Sequence, residues 1–138
     1  MGDPLLLDTC AVIWVANDEP IGKEARSAIV AALMADEWIY VSPITAWEVG
    51  LLAARGRISL RMSPDKWFDR LLGAPGIRLA EMPPGVLIAS SFLPGDDPAD
   101  PADRIIAATA REYDLRLVTR DRRLLAYAES GYCRALAC

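Results

Sequence analysis

Leu5-Leu6-Leu7-Asp8 is the stretch on which the fold turns. A short unbroken apolar run that stops at a carboxylate is the pattern of a strand buried on both faces of a parallel sheet, with the acid delivered at its C-terminal end. The chain downstream alternates in kind. A helix from about Ala11 to Ala16 is followed by the breaker Asn17-Asp18-Glu19-Pro20, and Ala25, Ile29, Ala32 and Leu33 give helical spacing to Lys23 through Ala35. Trp38-Ile39-Tyr40-Val41, aromatic and β-branched, is the second strand. Ser42-Pro43 sets an N-cap before a proline, so a helix starts at the end of that strand and runs to Gly56; Ser63-Pro64-Asp65 repeats the signal for a helix through Leu72. Ile77 to Ala80 is a third strand, Val86 to Phe92 a short helix, and Pro94 to Pro101 a polar loop. Ala102 to Tyr113 is helical, Arg116-Leu117-Val118-Thr119 a fourth strand, Asp121 opens a last helix, and Cys133 to Leu136 is a fifth strand. This order predicts an α/β fold: a three-layer sandwich with a mostly parallel sheet of four to five strands and helices on both faces. Such sheets bind ligands beyond the C-terminal ends of their strands.

At 138 residues the chain has the size of one domain, 1–138, able to bury roughly two-thirds of its unfolded surface. Apolar residues make up 53% of it, yet no run approaches the ~18 to 20 that span a bilayer. Met1-Gly2-Asp3-Pro4 has no basic leader and the apolar stretch after it stops at Asp8, so a location in the cytoplasm, with no membrane, is expected. Cys10, Cys133 and Cys138 form an odd set with no CxxC spacing, which suggests neither a disulfide framework nor a zinc knuckle. Cys10 is expected in the core. Histidine is absent altogether. That removes the commonest zinc ligand and the commonest general base together, and with them Ser-His-Asp, Cys-His and His-pair chemistry. Any hydrolysis must use carboxylates, a cofactor or a metal. The net charge of -4 argues against a passive nucleic-acid-binding module, although the positive residues are 13 Arg against 2 Lys, the type suited to bidentate phosphate contacts.

Three acids stand where carboxylates are costly. The helical neighbours of Glu48 are Ile44, Thr45, Leu51 and Leu52, so it lies on a mostly apolar stripe. Asp103 shares a face with Ile106, Ala107 and Ala110, while Arg104, Arg111 and Glu112 are better placed for solvent. Asp8 sits between Leu5-Leu6-Leu7 and Ala11-Val12-Ile13. No Lys or Arg occupies an obvious matching position, and an ionised carboxylate is seldom buried unpaired. With Asp121 after the fourth strand, all four acids are expected at one edge, where a divalent cation would offset the charge of all of them. Taken singly three of them have a plainer account, Asp121 or Asp103 as a helix N-cap and Asp8 as a turn initiator, and Glu48, mid-helix on the wrong face, is the hardest to explain away. Hard oxygen donors favour one or two magnesium or manganese ions over zinc. The chemistry such a site supports is phosphodiester hydrolysis, with metal activating water and stabilising an in-line displacement.

These segments together resemble the PIN-domain nucleases, and among them the VapC-type toxins of bacterial toxin-antitoxin pairs. The likeness covers nearly the whole chain. It rests on Leu5-Leu6-Leu7-Asp8-Thr9, on Val41-Ser42-Pro43-Ile44-Thr45-Ala46-Trp47-Glu48, on Asp100-Pro101-Ala102-Asp103-Arg104-Ile105-Ile106-Ala107 and on Leu117-Val118-Thr119-Arg120-Asp121. The resemblance implies an endoribonuclease whose catalytic and metal-holding residues are Asp8, Glu48, Asp103 and Asp121. It implies Asp100 as an auxiliary carboxylate, and Thr9 and Thr119 as hydroxyls that orient ligands or water. Ser42 is placed to do likewise or to be a plain N-cap. A homodimer and a cognate antitoxin that blocks the metal site are implied too. Trp14, Trp38, Trp47 and Trp67, with Phe68, are interface or core residues, and Arg55, Arg57 and Arg61 are phosphate contacts or a solvated loop.

Two other readings stay open at this point. A phosphatase or receiver-like domain would phosphorylate Asp8, but Asp8-Thr9-Cys10 lacks a second acid and no lysine follows Lys66. A non-catalytic PIN-like interaction module would keep the fold and leave the acids without a ligand.

Overall fold

The structure, a computed structural model, describes residues 3–138; Met1 and Gly2, part of the N-terminal stretch considered for a leader, lie outside the described residues. Five strands form one sheet: β1 (Leu5–Leu7), β2 (Ile39–Val41), β3 (Ile77–Leu79), β4 (Arg116–Thr119) and β5 (Arg134–Ala137). Their order is β3-β2-β1-β4-β5 and every pairing is parallel, so the expected mostly parallel sheet is wholly so. Between them run α1 (Thr9–Ala16), α2 (Lys23–Met34), α3 (Pro43–Ala54), α4 (Pro64–Leu72), α5 (Pro84–Ala89), α6 (Pro101–Glu112) and α7 (Arg122–Glu129).

Side chains on a strand alternate between faces, and β1 lies mid-sheet with helices on both, which is why all three of its residues are leucine. Leu5 and Leu7 join Ile39, Val41, Val118 and Leu136 under α1 to α4, through Ala11, Val12, Ala25, Ala32, Val49, Trp67 and Leu71. Leu6 and Leu117 point the other way, into Ile106, Ala107 and Ala110 of α6 and Leu124 and Tyr127 of α7. No helix among the described residues is long and apolar enough to cross a membrane.

Several boundaries differ from the expected ones for local reasons. α1 begins at Thr9 rather than Ala11 because Asp8 is its cap, its Oδ1 accepting from the Ala11 N–H at 2.8 Å. Trp38 stands just outside β2, 44% exposed, with the Arg78 guanidinium 5.2 Å from its ring centre. α5 starts earlier and ends earlier than Val86 to Phe92, since Pro84 takes the first helical position and Ser90 terminates it, donating Oγ to Leu87 O at 2.6 Å. α6 begins at Pro101, with Asp100 as its cap. Arg104, expected to face solvent, is half-buried: it pairs with Asp97 and donates Nε to Ser90 O at 3.2 Å, tying the 94–100 loop to α6.

Leu6 is fully buried between β1 and the α6–α7 layer. Leu6→Ala should therefore cost about 2–5 kcal/mol of unfolding free energy, the range for a core leucine whose site relaxes little. Urea unfolding checks this, and a cost under about 1 kcal/mol would contradict the two-faced burial of β1.

Candidate active site

The chain turns back across the sheet at β1: β2 and β3 lie to one side, β4 and β5 to the other. A parallel sheet opens a crevice at such a switch point, beyond the strands' C-terminal ends. Asp8 directly follows β1, and Asp121 comes two residues after β4. Leu7 pairs with Val118, and Asp8 N donates to Val118 O at 3.1 Å, so Asp8 comes to rest beside Thr119. Thr119 Oγ1 donates to Asp8 Oδ2 at 2.5 Å and accepts from Asp121 N–H at 3.0 Å. One buried hydroxyl thus fixes both acids.

Glu48 comes from α3, which starts directly after β2 because Ser42 caps it and Pro43 takes its first position. Its Oε1 accepts from Thr9 Oγ1 at 2.5 Å, and Thr9 Oγ1 also lies 3.1 Å from Thr45 Oγ1. Asp103 stands in the first turn of α6, and the cap there is Asp100, whose Oδ1 accepts from the Ala102 and Asp103 N–H groups at 2.8 and 3.4 Å. The cap account therefore fails for Asp103. It holds for Asp121, whose Oδ2 accepts from Leu124 N–H at 2.9 Å, while Asp8, expected to initiate a turn, is the cap of α1. Capping engages only part of a carboxylate, which has about four lone-pair sites.

Electrostatics links all of these acids. Burial raises the Asp103 carboxyl, and the charges of Asp100, Asp121, Glu48 and Asp8 raise it further, to about 7. Burial likewise raises Asp8 against the lowering effect of its bonds to Thr119 and Ala11, with Asp121 adding to the rise. Glu48 is raised by burial, partly offset by Thr9, and raised again by Asp100 and Asp8. The ion pairs among the described residues, Arg104–Asp97, Arg134–Asp3 and Arg134–Asp114, involve none of the four. No cation among the described residues pairs with them, in a setting only 5% exposed at Asp8.

The chemistry of this donor set fits a hard divalent cation: carboxylate oxygens, hydroxyls and no imidazole. As the side chains stand, no three or more Asp, Glu, Cys or His among the described residues are grouped closely enough to hold an ion. Threonine hydroxyls and helix caps hold Asp8, Glu48 and Asp121 singly. A hollow of about 420 Å³ lined by Pro4, Trp38, Tyr40, Arg78 and Tyr113 includes none of the four acids.

Of the hydroxyls expected around the acids, Thr9 and Thr119 reach them directly. Ser42 does not: its Oγ accepts from Ile44 N–H at 3.1 Å and serves as the cap of α3. Asp100 is exposed, and its charge acts on Asp103 and Glu48. Cys10, expected in the core, is exposed as a residue although its thiol is half-buried; that burial, followed by the charges of Asp8, Glu48 and Asp103, pushes the thiol up to about 11, which keeps it protonated beside the acids at neutral pH. Trp67 is core and Phe68 packs on it, whereas Trp47, next to Glu48, is 58% exposed. Arg55, Arg57 and Arg61 are exposed. Thr45, fully buried, was not anticipated; its spacing of three residues before Glu48 on one helix face was the available signal.

The family model "PIN domain" matches residues 5–130. Ribonuclease VapC22 of Mycobacterium tuberculosis is 39% identical over 121 residues, covering 87% of this chain and 88% of that one. Among solved structures, the DNA-bound VapBC of Salmonella typhimurium superposes with a TM-score of 0.68 at 20% identity, over 99% of this chain and 98% of that chain. VapBC2 of Rickettsia felis, bound to a promoter DNA fragment, gives 0.65 at 14%, over 96% and 97%.

An acid whose folded pKa lies near 7 against an ordinary 3.8 keeps a proton in the native state that the unfolded chain has released. Stability contributed at Asp103 therefore falls as pH rises through about 4 to 7, and stays low above that window. Asp103→Asn should raise the melting temperature in chelator at pH 7.5 by roughly 2–5 °C, and the two curves should converge near pH 4. Lower melting of the variant at pH 7.5 would refute the electrostatic account.

Proposed function

This chain belongs to the PIN domain family, and from that premise we propose that it is a metal-dependent endoribonuclease, the toxin of a type II toxin-antitoxin pair restrained by a cognate antitoxin. The observation that carries the proposal is the set of four acids from four separate segments, Asp8, Glu48, Asp103 and Asp121: the first three are raised by burial and by neighbouring acid charge, and none of the four pairs with a cation among the described residues. The name of the relative that matches most of this chain, a ribonuclease, supports the substrate class. The like fold of the solved VapBC assemblies supports an antitoxin as partner.

One or two magnesium or manganese ions held by these acids would activate water and stabilise the phosphate oxygens in an in-line displacement, leaving a 5'-phosphate and a 3'-hydroxyl. The protein's own contribution is placement. Asp8 is locked in orientation by Thr119 and by Ala11 N–H, and Asp121 by Leu124 N–H, so these two carboxylates meet a ligand without first losing rotamer freedom. Glu48 keeps Oε2 free while Thr9 holds Oε1, and Asp103 brings a carboxylate that no hydrogen bond lowers. Thr9 and Thr119 orient the acids, and Asp100 adds negative field from the rim. Asp8, buried and engaged at both oxygens, is poorly placed as a phosphoryl acceptor, which weighs against a phosphatase or receiver-like reading.

We assign the chain to the cytoplasm as a single-domain toxin that forms a homodimer. Trp47, Ile88 and Phe92 expose apolar area of the kind that partners cover, and the exposed Arg55, Arg57 and Arg61 suit RNA phosphates.

Incubation of the purified protein with total RNA and manganese should yield new 5'-phosphate ends, and chelator should prevent them. Asp8→Asn, which keeps the N-cap, should lower the cleavage rate about 100-fold or more while remaining folded. Full manganese-dependent cleavage by Asp8→Asn would remove Asp8 from the site, and no cleavage by the unmodified protein under any divalent ion would leave the interaction-module account in its place.

A further inference from the structure

Thr45 lies three residues before Glu48 on α3, and its side chain is completely buried. Its Oγ1 is 3.1 Å from Thr9 Oγ1, which is 2.5 Å from Glu48 Oε1. Distances alone leave the donor of the threonine pair undecided, but counting protons decides it. A hydroxyl carries one hydrogen, and an ionised carboxylate can only accept. Thr9 therefore donates to Glu48 and must accept from Thr45, which makes Thr45 the head of a one-way relay: Thr45 to Thr9 to Glu48.

We propose that Thr45 is a positioning residue for the metal site, acting on Glu48 through Thr9. This rests on reading Glu48 as an acid that holds the cation. Thr9 is the first residue of α1 and directly follows Asp8, whereas Thr45 and Glu48 belong to α3. The relay is thus a polar tie between the two helices that leave β1 and β2. Donation from Thr45 polarises the Thr9 hydroxyl and strengthens its bond to the carboxylate, as successive hydrogen bonds do where water is scarce. It also stops Thr9 from turning its hydrogen towards another acceptor. Without the Thr45 donor, Thr9 keeps its partner but loses its fixed direction, and Glu48 loses its defined rotamer. Groups at this remove from a metal commonly change its affinity by about 10- to 100-fold.

The test compares Thr45→Val, which replaces the hydroxyl with a methyl of similar shape, with Thr45→Ser, which keeps the donor. Manganese affinity is measured by titration calorimetry on the full chain, with melting in chelator as the check of folding. Thr45→Val should bind manganese about 10-fold more weakly, Thr45→Ser should stay within about 2-fold of the unmodified protein, and adding Thr45→Val to Thr9→Val should cause no further loss. If Thr45→Val shows no cooperative melt, Thr45→Ala takes its place against Thr45→Ser. Unchanged affinity in the folded Val or Ala variant overturns the relay, as does equal weakening in Thr45→Ser, which would make the side chain's role one of packing. Absence of any manganese heat in the unmodified chain overturns the metal reading itself, and the relay with it.

Discussion

The pairing of β1 with β4, Leu7 opposite Val118, is the constraint on which the rest of the molecule depends. It closes the centre of the sheet and sets the point where the chain doubles back. It also decides that Asp8 and Thr119 are neighbours although they lie 111 positions apart. A slip of one residue would turn Leu6 to the opposite face and carry Asp8 away from its hydroxyl. Core and site are therefore specified by the same contacts: the leucines that bury the strand also register the acid that follows it.

Around that centre the protein holds opposed tendencies. Burial disfavours the charged form of Asp8 and Glu48, while Thr119, Ala11 N–H and Thr9 favour it, and burial is the larger influence on both. Asp103 has no such relief and shows the greatest rise. The order follows from local structure, since the first two acids meet hydroxyls from packed neighbouring segments and Asp103 stands one turn inside a helix whose cap is another acid. An arrangement of this kind gains its stability from the two apolar layers, and bears the electrostatic cost at one rim.

How much of this could be read beforehand depended on whether the signal was local. Three leucines ending at an acid can be read because a doubly covered strand has no polar face, and Glu48 because a mid-helix carboxylate among Ile44, Leu51 and Leu52 breaks the amphipathic pattern. The α6 cap was less accessible: Asp100 and Asp103 both suit a helix start, and only Pro101 at the first helical position separates them. The early ends of α5 follow from Pro84 and Ser90, whose effects outweigh the apolar run to Phe92. Trp67 and Trp47 lie on similar helices, yet one is core and the other exposed, because burial depends on which helix faces which sheet surface. Thr45 was only half legible. Its place one turn before Glu48 on α3 can be read from the spacing, but its bond to Thr9 arises where α1 approaches α3, which neither segment records.

The dual use of Asp8 and Asp121 as helix caps bears on how this molecule would change over generations. Asn, Ser and Thr would replace either as a cap, but Ala, Val or Leu would free backbone N–H groups and weaken a helix by about 0.5–2 kcal/mol. Asp103 caps no helix, and Glu48 serves structure only as the acceptor for Thr9. Their replacement by Asn and Gln would relieve repulsion and free no helix N–H groups. A lineage released from selection for chemistry should therefore shed those two acids first, and retain Asp8 and Asp121 long afterwards as traces of a lost activity.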